Sequence, residues 1–213
     1  MAVINRRAKK PGFSRTYARK HGDKAAVVVR FLAHHVNRAI EADRNSRDGK
    51  HWYFNSLSEL ASKLPYIPRS TLSDILEKLA KDNQIEVGTF NKLGFDKTTW
   101  YTVPQAVRDA AEEDVIYFDA AVATQLKRIC EAVLYQNIRH FEQKKKCSSV
   151  KLSPTTLSRI LPYSSQQIAR ALRNLVKAEL IARDERAASH YRSVSTAAKP
   201  PATDDDESKS FLL

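Results

Sequence analysis

Two stretches of this chain follow one pattern, and together they decide its fold. Residues 56–82 read SLSELASKLPYIPRSTLSDILEKLAKD, and residues 153–178 read SPTTLSRILPYSSQQIARALRNLVKA. The tripeptide Leu64-Pro65-Tyr66 recurs 97 positions later as Leu161-Pro162-Tyr163, and beyond it the apolar positions match at an offset of 96. The change of one residue places a deletion in the turn after the tyrosine, where a loop tolerates it. Because the match extends to both sides of the turn, it indicates an internal repeat.

The first copy has the signals of two helices joined by a tight turn. Ser56 followed by Glu59 is typical of a capping box at a helix start, and Pro65 ends this short helix. A second helix is predicted over residues 69–82 by apolar residues at helical spacing. Its buried face is Leu72, Ile75, Leu76 and Leu79.

Further elements are predicted on both sides of this helix pair. A long helix that Asp23 caps runs over residues 23–42, and a short strand covers residues 52–54, so that Trp52 and Trp100 belong to the core. Two β-type runs follow over residues 85–90 and 98–103, joined by a loop that contains glycine.

The second copy repeats these signals in the same order. One long helix is predicted over residues 119–143, capped by Asp119 and followed by Lys144-Lys145-Lys146. Ser153-Pro154 is a strong helix start after a short strand. The next helix covers residues 165–178, and a shorter hairpin covers residues 181–191. The buried face of that helix is Ile168, Ala171, Leu172 and Leu175.

This order of elements is that of a winged helix-turn-helix. Residues 52–103 resemble the winged helix-turn-helix domains of bacteriophage and plasmid replication-initiator and regulatory proteins. The resemblance rests on three features, namely Leu57-Ser58-Glu59-Leu60-Ala61, the turn Leu64-Pro65-Tyr66, and the wing residues Phe90-Asn91, Gly94-Phe95-Asp96 and Trp100-Tyr101. The second copy lacks this wing signature, so its assignment rests on the internal repeat. The fold class is therefore predicted as mainly α with small β-wings, a tandem winged helix-turn-helix.

Charge and composition divide the chain further. The net charge is +12, and residues 1–24 alone carry eight basic side chains against one acidic side chain. We expect a basic flexible arm over residues 1–22, winged-helix domains over 23–103 and 119–194, and a connector over 104–118. Residues 195–213 are predicted to form a disordered acidic tail. A basic chain of this kind is typical of proteins that meet polyanions.

The expected partner is double-stranded DNA, because a helix-turn-helix places the outer face of its second helix in the major groove. In the second copy that face is basic and carries residue types that read bases. In the first copy it is mixed, because Asp74 and Glu77 lie on it, so a protein–protein role for that module stays open. The candidate DNA-binding residues are Arg6, Arg7, Lys9, Lys10, Arg69, Ser70, Thr71, Lys92, Lys97, Gln166, Gln167, Arg170, Arg173, Lys177 and Arg186.

Other classes of function find little support in the sequence. No uncharged apolar run is long enough for a membrane span, and no glycine pattern of a nucleotide-binding loop occurs. Cys130 and Cys147 cannot form a disulfide framework or a four-cysteine metal site. His34 and His35 are adjacent on a helix and cannot both face one metal. We therefore expect no enzyme activity, no cofactor and no metal, and a bacterial cytoplasmic, nucleoid-associated location.

The role predicted from the sequence is that of a mobile-element protein, either a replication initiator or a transcriptional regulator. The tail ends in Ser210-Phe211-Leu212-Leu213 after Asp204-Asp205-Asp206-Glu207, which resembles the tails that recruit replication partners to bacterial single-stranded-DNA-binding proteins. A host replication or transcription protein is thus a candidate partner. A homodimer, a merely solvated tail, and an RNA-binding or protein-scaffold role stay open as alternatives.

Overall fold

The computed structural model describes residues 11–91, 96–145, 149–184 and 189–194. Within these ranges the chain is mainly α-helical with small antiparallel sheets, which confirms the predicted class of a mainly α protein with small β-sheets. In the first half the elements are β1 (Gly12–Ser14), α1 (Arg15–His21), α2 (Asp23–Glu41), β2 (Ser46–Arg47), β3 (Lys50–His51), β4 (Tyr53–Asn55), α3 (Leu57–Lys63), α4 (Arg69–Lys81), β5 (Glu86–Gly88) and β6 (Thr99–Thr102).

The second half continues with a short connecting region and then the repeat. Its elements are α5 (Gln105–Glu112), β7 (Val115–Tyr117), α6 (Ala120–Leu126), α7 (Ile129–Lys145), β8 (Val150–Lys151), α8 (Pro154–Ile160), α9 (Ser165–Lys177), β9 (Ile181–Arg183) and β10 (His190–Ser193). Among the described residues, no helix is both long and apolar enough to span a membrane.

The two copies of the repeat have the same sheet order. We call β4 to β6 the first unit and β8 to β10 the second unit. The three strands are ordered β4-β6-β5 in the first unit and β8-β10-β9 in the second, and all neighbours are antiparallel. In each unit the strand before the two helices therefore pairs with the last strand, so that the helix pair and the hairpin close into one structure.

The helix starts follow the local signals in the sequence. The side chain of Ser56 accepts a hydrogen bond from the backbone N–H of Glu59, and the Glu59 carboxylate accepts one from the Ser56 N–H. This capping box was predicted, and it satisfies amide groups that the first turn of a helix leaves without partners. Ser153 caps α8 in a similar way.

Residues 11–22 do not form the flexible arm that the sequence predicted, because they contain β1 and α1. β1 pairs with β7, so that Phe13 lies opposite Ile116, and the Phe13 side chain is fully buried. A Cβ atom at Gly12 would lie only 2.8 Å from the carbonyl oxygen of Ile116, so the close approach of these strands requires glycine. Residues 104–118, predicted as a connector, contain α5 and β7.

The predicted long helix over residues 119–143 is divided into α6 and α7. Lys127 ends α6 in the left-handed backbone region with φ of 53°, and α7 begins at Ile129. Asp119 caps α6 as predicted, through bonds from the N–H groups of Ala121 and Val122. By contrast, Asp23 is the first residue of α2 and Gly22 is its N-cap.

One hydrophobic core runs through both units. Helix α1 lies between them: Tyr17 Oη donates to Gln84 Oε1 of the first unit at 3.0 Å, and Arg15 Nη1 donates to the carbonyl oxygen of Ile160 in the second at 3.0 Å. The units are therefore connected by packing and by hydrogen bonds, and not only through the chain.

Candidate nucleic-acid interface

Helix α9 separates an apolar face from a basic one. Its exposed face consists of Gln166, Arg170, Arg173 and Lys177, while Ile168, Ala171, Leu172 and Leu175 are buried on the opposite side. The buried residues fix the rotation of α9 against α7 and α8, and the rotation in turn directs the basic side chains outward. The four exposed side chains can donate hydrogen bonds in the forms that suit phosphates and base edges.

Gln167 has a structural role that the sequence analysis missed. Its side-chain Oε1 accepts a hydrogen bond from the Ser164 N–H at 2.8 Å, and its own N–H donates to Ser164 Oγ at 3.2 Å. These two bonds form a capping box at the start of α9. The spacing Ser-x-x-Gln is the signal that could have shown this. We therefore assign Gln167 to the positioning of α9.

The sheet of the second unit carries further exposed cations. Lys151 and His190 are cross-strand partners, and Arg192 follows on the same face. The intervening Tyr191 packs against the core, so the face with Lys151 and Arg192 points outward and both side chains are exposed. Alternation in the strand could have indicated these residues. Arg186, which was predicted for this wing, lies outside the described residues.

Helix α4 presents a mixed outer face. Arg69 and Ser70 are exposed near its start, but Asp74 and Glu77 are exposed on the same side further along. Thr71 does not belong to that face: it is half-buried and lines a groove of about 260 Å³ between α4 and the start of α2. Lys97 is exposed, whereas Lys92 lies outside the described residues.

Two cations of the predicted arm bind the protein itself. Arg15 Nε lies 2.6 Å from Asp114 Oδ2, and Arg19 Nη2 donates to the carbonyl oxygen of Arg159 at 3.0 Å. The bond from Arg19 and a second bond from Arg15, to the carbonyl oxygen of Ile160, satisfy carbonyl groups at the C-terminal end of α8, where the helix dipole favours cations. Arg6, Arg7, Lys9, Lys10 and Lys146 lie outside the described residues, and Lys144 is exposed.

A part-buried hydrogen bond connects α2 to the second unit. Tyr163, in the turn before α9, donates from Oη to Asp23 Oδ2 at 3.0 Å. Burial raises the pKa of the Asp23 carboxyl, although the hydrogen bond from Tyr163 acts in the opposite direction. Burial also raises the pKa of the Cys130 thiol, which leaves this cysteine protonated and unreactive at neutral pH.

Replacing Asp23 with asparagine is expected to stabilise the protein at pH 8 relative to wild type, with little difference near pH 4. The raised pKa means that the folded state binds the Asp23 proton more tightly than the unfolded chain. The contribution of Asp23 to wild-type stability is therefore greatest at low pH and is lost as pH rises through its folded-state pKa. Asparagine cannot ionise and still accepts the hydrogen bond from Tyr163.

Thermal unfolding of both proteins from pH 4 to pH 8 measures this difference. Asp74→Asn on the exposed face of α4 is the matched control, because it removes the same charge without burial. A difference between Asp23→Asn and wild type that stays constant over this range contradicts the argument.

The sheet of the first unit carries aromatic side chains on its outer side. The ring centroids of Phe54 and Trp100 are 4.5 Å apart, and the guanidinium of Arg47 lies 5.8 Å from the centre of the Trp100 ring. Trp52 is buried, as predicted, whereas Trp100 is half-buried. Stacking among these rings holds the hairpin β5–β6 in place.

Among the described residues, no group of three or more His, Cys, Asp or Glu side chains is placed to hold a metal ion. No protein-family model matches the chain, and no curated protein matches it significantly.

Proposed function

We propose that this chain is a sequence-specific double-stranded-DNA-binding protein of a bacteriophage or plasmid, in which each unit acts as a winged helix-turn-helix. The observation that carries the proposal is the exposed face of α9, from which Gln166, Arg170 and Arg173 project outward. The sheet of the same unit adds two exposed cations, Lys151 and Arg192. Such a protein works in the bacterial cytoplasm on the nucleoid or on mobile-element DNA, as an initiator of replication or a regulator of transcription.

In this proposal α9 enters the major groove. Arg170 and Arg173 each bind a guanine through two hydrogen bonds, and Gln166 binds an adenine. Lys177 contacts a phosphate. Lys151 and Arg192 on the sheet of the same unit contact the phosphate backbone next to the groove.

The first unit contributes less to affinity in this proposal. Arg69 and Ser70 at the start of α4 are placed to bind DNA, but phosphates would repel Asp74 and Glu77 on the same face. The main contribution of the first unit is therefore to extend the recognised sequence. Two units on one chain share the entropy cost of association, which raises affinity beyond that of either alone.

The contacts that hold the two units together support a DNA target in which two sequence elements have a fixed spacing. Arg15 and Arg19 of α1 bind carbonyl groups at the end of α8, and Asp23 of α2 binds Tyr163 of the second unit. Helices α1 and α2 also contact the first unit. Because these bonds restrict movement of one unit against the other, α4 and α9 are expected to contact two sequence elements at one spacing.

Selection of bound sequences from random duplexes, at stated salt concentrations, tests the proposal. We expect enrichment of one sequence with two separate conserved elements. Repeated sites beside an AT-rich segment would favour initiation, and a single palindrome over a promoter would favour repression. Enrichment of RNA but not of duplex DNA in a parallel selection would contradict the proposal and favour the RNA-binding alternative.

Changing the spacing of the selected site tests the fixed geometry. Inserting about five base pairs between the two elements rotates one against the other by roughly half a helical turn. We expect affinity to fall at least about tenfold, to the level of a site with the α9 element alone. Inserting about ten base pairs also weakens binding, because the rigid protein cannot extend. Equal affinity for all three spacings would contradict the rigid arrangement.

A further inference from the structure

The break between α6 and α7 brings two neighbouring cations to different parts of the molecule. Lys127 adopts a left-handed backbone conformation, which is unfavourable for a residue with a Cβ atom. Its Nζ donates to the carbonyl oxygen of Pro65 at 2.7 Å, and Pro65 lies in the turn between α3 and α4. The break therefore attaches this point of the chain to the helix-turn-helix of the first unit.

The next residue, Arg128, faces the second unit. It lines a groove of about 250 Å³ beside α9, which we call the α7–α9 groove. The lining residues are Leu126, Arg128, Asn174, Lys177 and Ala178. Half of the Arg128 side chain is exposed. Two cations from separate elements, Arg128 and Lys177, thus stand on the rim of one open groove.

A buried carboxylate orients Arg128. Glu131 is 3% exposed, and its Oε1 accepts a hydrogen bond from Asn174 Nδ2 at 2.8 Å. Arg128 Nε lies 3.7 Å from the same oxygen, so it forms an ion pair that is longer than a hydrogen bond. This contact involves the Nε edge of the guanidinium. The Glu131 carboxylate therefore only partly balances the positive charge that Arg128 presents to the groove.

We propose that the α7–α9 groove binds one phosphate group of the DNA backbone, between the guanidinium of Arg128 and the ammonium of Lys177. This site rests on the proposed DNA-binding function and deepens it. A guanidinium matches the two non-bridging oxygens of a phosphodiester, and a lysine adds a mobile positive charge. Since Lys127 is bound to the first unit, the phosphate lies on the stretch of DNA between the two sequence elements.

A purely structural role for Arg128 makes a different prediction. In that case Arg128 only balances the charge of Glu131, so that Arg128→Ala lowers the melting temperature but leaves the DNA affinity of the folded protein unchanged. A phosphate contact is instead visible in the salt dependence of binding, because each contact releases counterions from the DNA.

The experiment measures the dissociation constant of the full chain for the selected duplex and for an unrelated duplex over a series of NaCl concentrations. We expect Arg128→Ala to weaken binding about three- to tenfold to both duplexes, and to reduce the slope of log K against log salt by about one. Arg128→Lys should retain most of the slope. Arg139→Ala is the matched control, since Arg139 lies on α7 and contacts Tyr135.

The pair Arg128 and Lys177 provides a second test. If both hold one phosphate, Lys177→Ala gives a similar loss, and the double variant loses less affinity than the product of the two single losses. An unchanged affinity and slope in Arg128→Ala would overturn the phosphate site. The proposed function is tested separately: it survives that result if Arg170→Ala with Arg173→Ala abolishes specific binding, and it fails if the wild-type chain does not prefer any duplex.

Discussion

Arg170→Ala combined with Arg173→Ala is expected to weaken binding to the selected duplex by about 2–6 kcal/mol at low salt. Each arginine that binds a guanine through two hydrogen bonds contributes about 1–3 kcal/mol of discrimination. The two side chains lie one turn apart on the exposed face of α9, so both reach the same groove. The loss should be larger for the selected sequence than for an unrelated duplex, which these residues contact only through charge.

Equilibrium binding at fixed ionic strength measures this loss. Arg38→Ala with Arg44→Ala is a matched control, because it removes the same charge from exposed positions at the end of α2. Unfolding free energies of both double variants should stay within about 1 kcal/mol of wild type, since all four side chains are exposed. If the α9 variant binds the selected duplex as tightly as the control does, α9 is not the reading helix, and a scaffold or RNA-binding role becomes the better hypothesis.

Phe13→Ala is expected to lower the free energy of unfolding by about 3–5 kcal/mol, the usual loss for a large aromatic side chain in a core. Phe13 is fully buried on β1, 6.2 Å from Phe118 between ring centroids, in the segment that pairs with β7. A loss of this size approaches the whole stability of many domains. Helix α1, which contacts both units, is expected to lose its support in the same variant.

Urea unfolding at neutral pH measures this change. Thr16→Ala is the control, because Thr16 is exposed on α1 next to the buried Tyr17, and we expect a change within about 0.5 kcal/mol. A flexible N-terminal arm would make both substitutions harmless. Equal midpoints for Phe13→Ala and Thr16→Ala would therefore contradict the placement of β1 in the core.

The helix caps and the apolar helix faces of this protein could be predicted from the sequence, because they depend on local interactions. The capping box at Ser56 and Glu59, the cap at Asp119 and the apolar face of α9 each depend on residues within four positions of one another. Helical periodicity and capping depend only on residues close together in the chain, so the sequence of each short segment is enough to predict them. The exposed face of α9 follows directly, because the side opposite a buried stripe faces solvent.

The tertiary structure alone decided which residues meet across the chain. β1 is only three residues long and pairs with a strand about a hundred positions later, and segments this short carry no periodic signal. The bond from Lys127 to Pro65 and the two arginines at the end of α8 are also long-range contacts. An arginine that binds a carbonyl group of its own chain and one that we propose to bind a phosphate look the same in the sequence, and only the position of the partner atom distinguishes them.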